Sequence, residues 1–587
     1  MLRNEPIRPR LWPSILFVLL SAALAHAAGQ PEELLRVNIA PGHPGGRLVV
    51  GQSSEPKTLN PVTAIDQPSR DVIRRMTADL VHINRFTQKT EPALAKSWTS
   101  SRDGKQFTIQ LRRGLRFSDG APFDADDVIF SFQVYLDENV HSSQRDLLVV
   151  GDQPLRVTKL GPYTVRFTFA APYAPAERVF DSVAILPRHL LEADYKAGRI
   201  TQAWGLIVSP DKIAGLGPFR LKHVVPGERI VLERNPYYWK VDTKGQRLPY
   251  LDELTFLTVP SRDAQVVRFR AGDTQVISPL NAEDFTALLP GQQDGHYSLY
   301  DVGPGLAFTF LVFNLNDDVQ GRLPAVARKQ KWFRDQRFRQ AVSCGIDRAA
   351  IIRLVYQGRG VALATQVSPG DKLWFDSALA PPEYSPAKSR QLLQSAGFSW
   401  KPDGSLVDQS GQPVELSILV NSGNGQSSQM ATLIQDDLKK LGMNVHVTGL
   451  EFRAAIDRVL QSHDYELSVL GLGRGDTDPV PDMSFLLSNA STHVWNTTEK
   501  KPATAWQAEI DSLMKKQQIT MHYRERKLLF DRVQAILAKQ VPIVFIASPH
   551  VLAAARRDLG NVRPAIMDNY ILWNADELFW RPPAGKH

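Results

Sequence analysis

A chain of 587 residues with 43% apolar and 22% charged residues is too long for one ordinary domain, and no stretch is polar enough to stay unfolded. Two or three packed lobes are expected. The formal charge of +8 is spread over interleaved acids and bases with no basic run longer than three residues, a pattern that excludes a nucleic-acid footprint.

At the start of the chain Arg3, Arg8 and Arg10 precede an apolar run over 11–25 that ends in Ala25-His26-Ala27. Charged start, apolar run and small residues at the end form a secretory signal peptide over 1–27. The run is interrupted by Pro13 and is shorter than the roughly 20 residues of a spanning helix. Cys344 is the single cysteine, so no intrachain disulfide is expected and no thiol sits at the cleavage site to take a lipid. Together these predict an exported, soluble protein of the periplasm that is not lipid-anchored. Its context predicts a buried, unreactive Cys344.

Residues 28–46 form a leader containing proline and glycine, followed by a strand over 47–51 and a turn over 53–61. Apolar spacing predicts a helix over 71–80, and alternation predicts strands over 106–111 and 163–169 in a strand-rich subdomain. The clearest pattern spans 414–472: a strand over 414–420, a helix over 427–441, a strand over 443–448, a helix over 452–461 and a strand over 465–472. Crossover helices force parallel pairing, so this βαβαβ unit should be buried on both faces and present ligand-binding loops at the carboxyl ends of its strands.

The loop over 421–428 holds Asn421, Ser427 and Ser428, and the loop over 473–479 holds Arg474, Asp476 and Asp478. Amides at a helix start attract anions and the acidic loop attracts cations, so a crevice between them suits a zwitterion. The serines fit a helix cap equally well, and the aspartates fit ordinary turn chemistry.

Several segments together carry a family signature. Leu94-Ala-Lys-Ser-Trp98, Asp103-Gly104, Leu111-Arg-Arg-Gly-Leu-Arg-Phe-Ser-Asp-Gly120, Pro122-Phe-Asp-Ala125 and Asp127-Val-Ile-Phe-Ser131 come in order. Glu55-Pro-Lys-Thr-Leu-Asn-Pro61 precedes them; Gly217-Pro-Phe219, Asn235-Pro-Tyr-Tyr-Trp239, Leu248-Pro-Tyr-Leu-Asp252, Phe313-Asn314, Phe338-Arg-Gln-Ala341 and Ile346-Asp-Arg348 follow. Across nearly the whole mature chain this resembles the family 5 extracellular solute-binding proteins, which include dipeptide-, oligopeptide- and nickel-binding receptors of ABC importers. Most of these residues read as structural: glycines for tight turns, aromatics for the core, and Asn235 to Trp239 for a chain reversal.

The resemblance implies an α/β fold of the type II periplasmic-binding-protein kind, with two lobes, a hinge and closure on the ligand. The first lobe then comprises 47–67, 213–302 and 545–587 with an extra subdomain over 68–212, and the second lobe 303–544. It also implies that an aspartate after the last strand of the βαβαβ unit pairs with a peptide's amino terminus. Asp476 is the better match and Asp478 the alternative; the stretch departs from the family pattern in being one residue shorter to Pro479 and in lacking its tryptophan. Arg474 lies two residues before Asp476. Pairing between them would mask the carboxylate and favour a neutral or anionic ligand; an Arg474 turned to solvent leaves the peptide reading in place.

No enzyme pattern survives. The Ser-x-x-Lys stretches at Ser54, Ser385 and Ser512 are scattered, and no nucleophile elbow or phosphate loop occurs. The histidines are isolated, so no catalytic residue, protein-only metal site or cofactor is expected. The expected protein is a monomeric receptor that takes a short peptide or other small molecule to the transmembrane permease subunits of an ABC importer. The alternatives are the same role for an oligosaccharide, an opine-like compound or a metal chelate, or an exported hydrolase or chaperone.

Overall fold

The computed structural model describes residues 31–151, 153–490, 492–568 and 570–582. The expected signal peptide lies outside the described residues. The βαβαβ unit is present as strand Glu415–Asn421, helix Gly425–Lys439, strand Asn444–Leu450, helix Phe452–Asp457 running into a π-helical turn Arg458–Ser462, and strand Leu467–Leu472. Its strands are parallel, with Glu415–Asn421 between the other two. The first helix buries Met430, Ala431, Ile434, Asp437 and Leu438, the stripe that a 3.6-residue period lays on one side of a helix. Burial on both faces holds for the inner strands only. Asn444–Leu450 is a sheet edge and buries just Val445.

Further toward the start, Arg47–Gln52 is a strand, and Gln106–Leu111 pairs antiparallel with Thr164–Thr168. The helix expected over 71–80 is Gln67–Met76 instead. Asp66 caps it by accepting the Ser69 N–H at 2.9 Å, and Pro68 sits in its first turn, where a missing N–H costs nothing.

The glycine- and asparagine-bearing motifs meet in space. Asn235 Nδ2 donates to Gly217 O at 2.8 Å, the Asn235 N–H donates to Pro218 O at 2.9 Å, and Trp239 Nε1 donates to Leu216 O at 2.9 Å. Gly217 has no room for a side chain: a Cβ there would lie 2.4 Å from the Met76 carbonyl carbon and 2.7 Å from Arg75 O. Gly217→Ala is therefore expected to lose about 1–3 kcal/mol of stability in urea denaturation. Gly475→Ala, whose Cβ meets nothing within 4 Å, should change it by less than about 0.5 kcal/mol.

Two large apolar cores divide the described residues. One joins Leu48, Phe107, Phe132, Phe219 and Leu254 to Leu578; the other joins Phe310, Phe338, Ile418, Ile434, Leu467 and Val544. Cys344 is buried. A sheet of twelve strands runs through both halves. Its long strand Ile543–Arg556 pairs with Phe308–Phe313 through its first residues and with Tyr297–Pro304 and Val276–Leu280 through its last. The chain thus crosses between halves beside this strand, over 304–308 and again over 547–550. Among the described residues no helix is long and apolar enough to cross a membrane.

Candidate functional site

The crevice between the two halves opens at the carboxyl ends of the parallel strands, where polar loops converge. A cavity of about 250 Å³ there is lined by Gln426, Gly473 and Arg474 from one half and by Asn281, Asp568 and Tyr570 from the other. A second cavity of about 250 Å³ continues into the first half past Gln67, Asp71 and Ser278, and shares Pro279, Asp568 and Tyr570 with it. The loops that follow Glu415–Asn421 and Leu467–Leu472 thus meet at one cavity.

Within the first loop the helix cap is Asn424. Its Oδ1 accepts the Ser427 N–H at 3.1 Å, so neither Ser427 nor Ser428 is the capping residue. Ser428 Oγ donates to Asn424 O at 3.3 Å, and Asn421 Oδ1 accepts the Gly423 N–H at 3.0 Å. Of this loop it is Gln426 that lines the cavity. A short amide side chain just before the first helical residue closes an N–H that has no partner inside the helix, and this decides the cap.

Arg474 neither pairs with Asp476 nor points to solvent. Its guanidinium is buried, donating to Asp482 Oδ1 at 2.9 Å, Asp371 Oδ2 at 2.8 Å and Thr477 O at 3.0 Å. Burial opposes its charge, but Asp482 and Asp371 outweigh that and raise its pKa. Both alternatives considered for this residue are thereby replaced: Arg474 is the centre of an ion triad that fixes the loop from below.

The acid of Asp476 is held by an arginine that the sequence pattern had not singled out. Arg178 Nε donates to both carboxylate oxygens, at 2.8 and 3.0 Å, its Nη2 donates to Oδ1, and the same Nη2 reaches Thr477 Oγ1 at 3.0 Å. Arg178 comes 298 residues earlier, from the strand-rich part of the chain, so this pair joins the two halves. Around it Gln88 Nε2 donates to Gly370 O at 2.8 Å, Gln88 Oε1 accepts the Lys372 N–H at 3.0 Å, and the Ala174 N–H donates to Gln518 O at 2.9 Å. Asp478 is buried and accepts from Arg526 Nη1 at 3.0 Å and Nη2 at 2.9 Å. Neither Asp476 nor Asp478 is among the residues lining the two cavities. A carboxylate taken out of water needs a cation or several donors, and each of these two already has its arginine.

Comparison with known proteins agrees with this architecture. Residues 89–493 match the family model described as bacterial extracellular solute-binding proteins, family 5 Middle. The chain is 29% identical over 466 residues to a probable ABC transporter-binding protein of Deinococcus radiodurans, covering 76% of this chain and 77% of that one. It is 26% identical over 579 residues to di/tripeptide-binding protein 1 of Pseudomonas aeruginosa, covering 96% and 97%. Among solved structures, the oligopeptide-binding protein AppA of Bacillus subtilis, in complex with a nonapeptide, superimposes with a TM-score of 0.68 at 23% identity, covering 92% of this chain and 100% of that one.

Proposed function

The chain belongs to the bacterial extracellular solute-binding proteins of family 5, and from that premise we propose that it is the receptor of an ABC importer, capturing a short peptide between its lobes and delivering it to the permease. It is a binding protein, not an enzyme. The observation that carries this reading is the polar crevice between two separately cored halves, crossed by the chain beside one shared strand. Such a joint allows the halves to swing with little loss of packing, and closure excludes water from the ligand's polar groups. Relatives named for di- and tripeptides and for oligopeptides support a peptide as cargo.

In this reading 47–67, 213–302 and 545–587 form one lobe, 68–212 its extra subdomain and 303–544 the other lobe. The protein acts as a monomer, binds no nucleic acid, and is exported to the periplasm.

Mass spectrometry of small molecules released from purified protein tests the cargo: peptides are expected, and an oligosaccharide or a metal chelate would replace the peptide assignment. Saturation with the released ligand should reduce the radius of gyration in small-angle scattering and return the ligand uncleaved. An unchanged radius contradicts capture by closure.

A further inference from the structure

A third cavity, of about 90 Å³, lies in the first half, where the end of helix Gln67–Met76 meets the segment 77–85, the chain around Lys240 and the segment 572–576. That volume holds about three waters or one small ion. Among the described residues its walls carry four cations, Arg74, Arg75, Arg85 and Lys240, against the carboxyls of Asp79 and Asp576. Arg85 Nη2 donates to Asp181 Oδ2 at 2.6 Å, and Lys240 Nζ lies 3.1 Å from Asp576 Oδ2. Arg85 is only 7% exposed, yet among the described residues its Nε and Nη1 donate to nothing while keeping accessible surface. Arg74, among the same residues, has no carboxylate within ion-pair distance and no hydrogen bond from its guanidinium. A guanidinium offers five N–H donors and an ammonium three, and neither has an acceptor, so the cavity is rich in donors and short of acceptors. Burial and the Asp181 carboxylate push the Asp79 carboxyl well above the usual carboxylate range, and in its acid form Asp79 adds an O–H donor in place of a competing charge.

We propose that this cavity is a binding site for a small anion with several acceptor oxygens, a carboxylate or a tetrahedral oxyanion, held by Arg74, Arg85 and Lys240. Such a group supplies the acceptors that the three cations lack. Charge-assisted hydrogen bonds are roughly twice as strong as neutral ones, and a site largely closed to water keeps that strength. The site stands behind the joint between the halves: Arg85 comes three residues before Gln88, whose carbonyl accepts from Arg178 Nη1 at 3.0 Å and whose Nε2 donates to Gly370 O of the other half. The carboxylate of a peptide and a free inorganic ion share this chemistry, and the site does not depend on which cargo the crevice takes.

Calorimetry on the full mature protein tests this with sodium sulfate, sodium acetate and N-acetylated trialanine bearing a free or an amidated carboxyl end, each against sodium chloride at matched ionic strength. The parent is expected to bind at least one oxyanion saturably, one per chain. Arg74→Gln removes no internal partner, so it should melt like the parent and bind that anion at least about tenfold more weakly. Arg85→Lys keeps a cation opposite Asp181 but removes the spare guanidinium donors, and the same loss is expected of it. Trialanine bound only with its free carboxylate, and released by Arg74→Gln, assigns the site to an acidic group of the cargo. Sulfate or acetate bound while the two peptides are treated alike assigns it to a free ion. A parent that binds neither sulfate nor acetate above chloride and treats the two peptides alike overturns the site. So does a folded Arg74→Gln or Arg85→Lys variant that binds within about twofold of the parent. Either of these results leaves the peptide receptor standing.

Discussion

Arg474→Ala is expected to destabilise the protein by about 3–5 kcal/mol, because it leaves the Asp371 and Asp482 carboxylates buried without a cation. Both side chains are nearly inaccessible, at 0% and 8% exposure, so water cannot replace the guanidinium without opening the loop. The same substitution removes the donor to Thr477 O, and with it the support of the segment that carries Asp476. Were Arg474 a mask over Asp476, the substitution would tighten peptide binding at little cost to folding. Urea denaturation and calorimetry on one preparation separate the two: a midpoint unchanged within error, together with tighter binding, contradicts the buried triad. Asp478→Ala is the parallel case. It strands Arg526 in the interior, and should lower stability by a similar amount, again about 3–5 kcal/mol.

The second large effect is on binding. Arg178 and Asp476 are 12% and 22% exposed and join the two halves of the molecule, so the pair contributes only when the halves are together. Replacing either residue by alanine leaves its partner half-buried and unpaired, at a cost of about 1–3 kcal/mol to the closed arrangement. Ligand affinity is coupled to closure, so it should fall roughly 5- to 150-fold. The decisive comparison is the double-mutant cycle. A clasp predicts that Arg178→Ala, Asp476→Ala and the double variant weaken peptide binding to a similar extent, since each removes the same pair. If Asp476 instead holds a ligand ammonium, Arg178→Ala should leave affinity equal or better while Asp476→Ala weakens it. Calorimetry with one peptide across the three variants reads the difference.

The sequence carried the local architecture with small errors at its ends. The strand and helix periods over 414–472 survive because each element buries a stripe that its own repeat defines, and the π-helical turn Arg458–Ser462 was absorbed into one expected helix for the same reason. The cap moved from the serines to Asn424 because several polar side chains in a row each suit a helix start, and only the entry direction of the chain chooses among them. Gly217 and Asn235 stood out as a motif, but that they bond to each other became visible only when two distant segments were placed side by side.

What the sequence determined by itself was the crossover unit and the loops at its strand ends, together with the family signature; the unit and its loops follow from periodicity and from residue types that dictate backbone geometry. Which charge meets which was decided by the tertiary structure alone. Asp476 finds Arg178 across the lobe boundary, Asp478 finds Arg526, and Arg474 turns inward to Asp371 and Asp482. Asp71 and Asp568, from opposite ends of the chain, come to line one cavity. Ion pairing in a low-dielectric interior depends on distances of a few ångströms between segments hundreds of residues apart, and no local pattern encodes them.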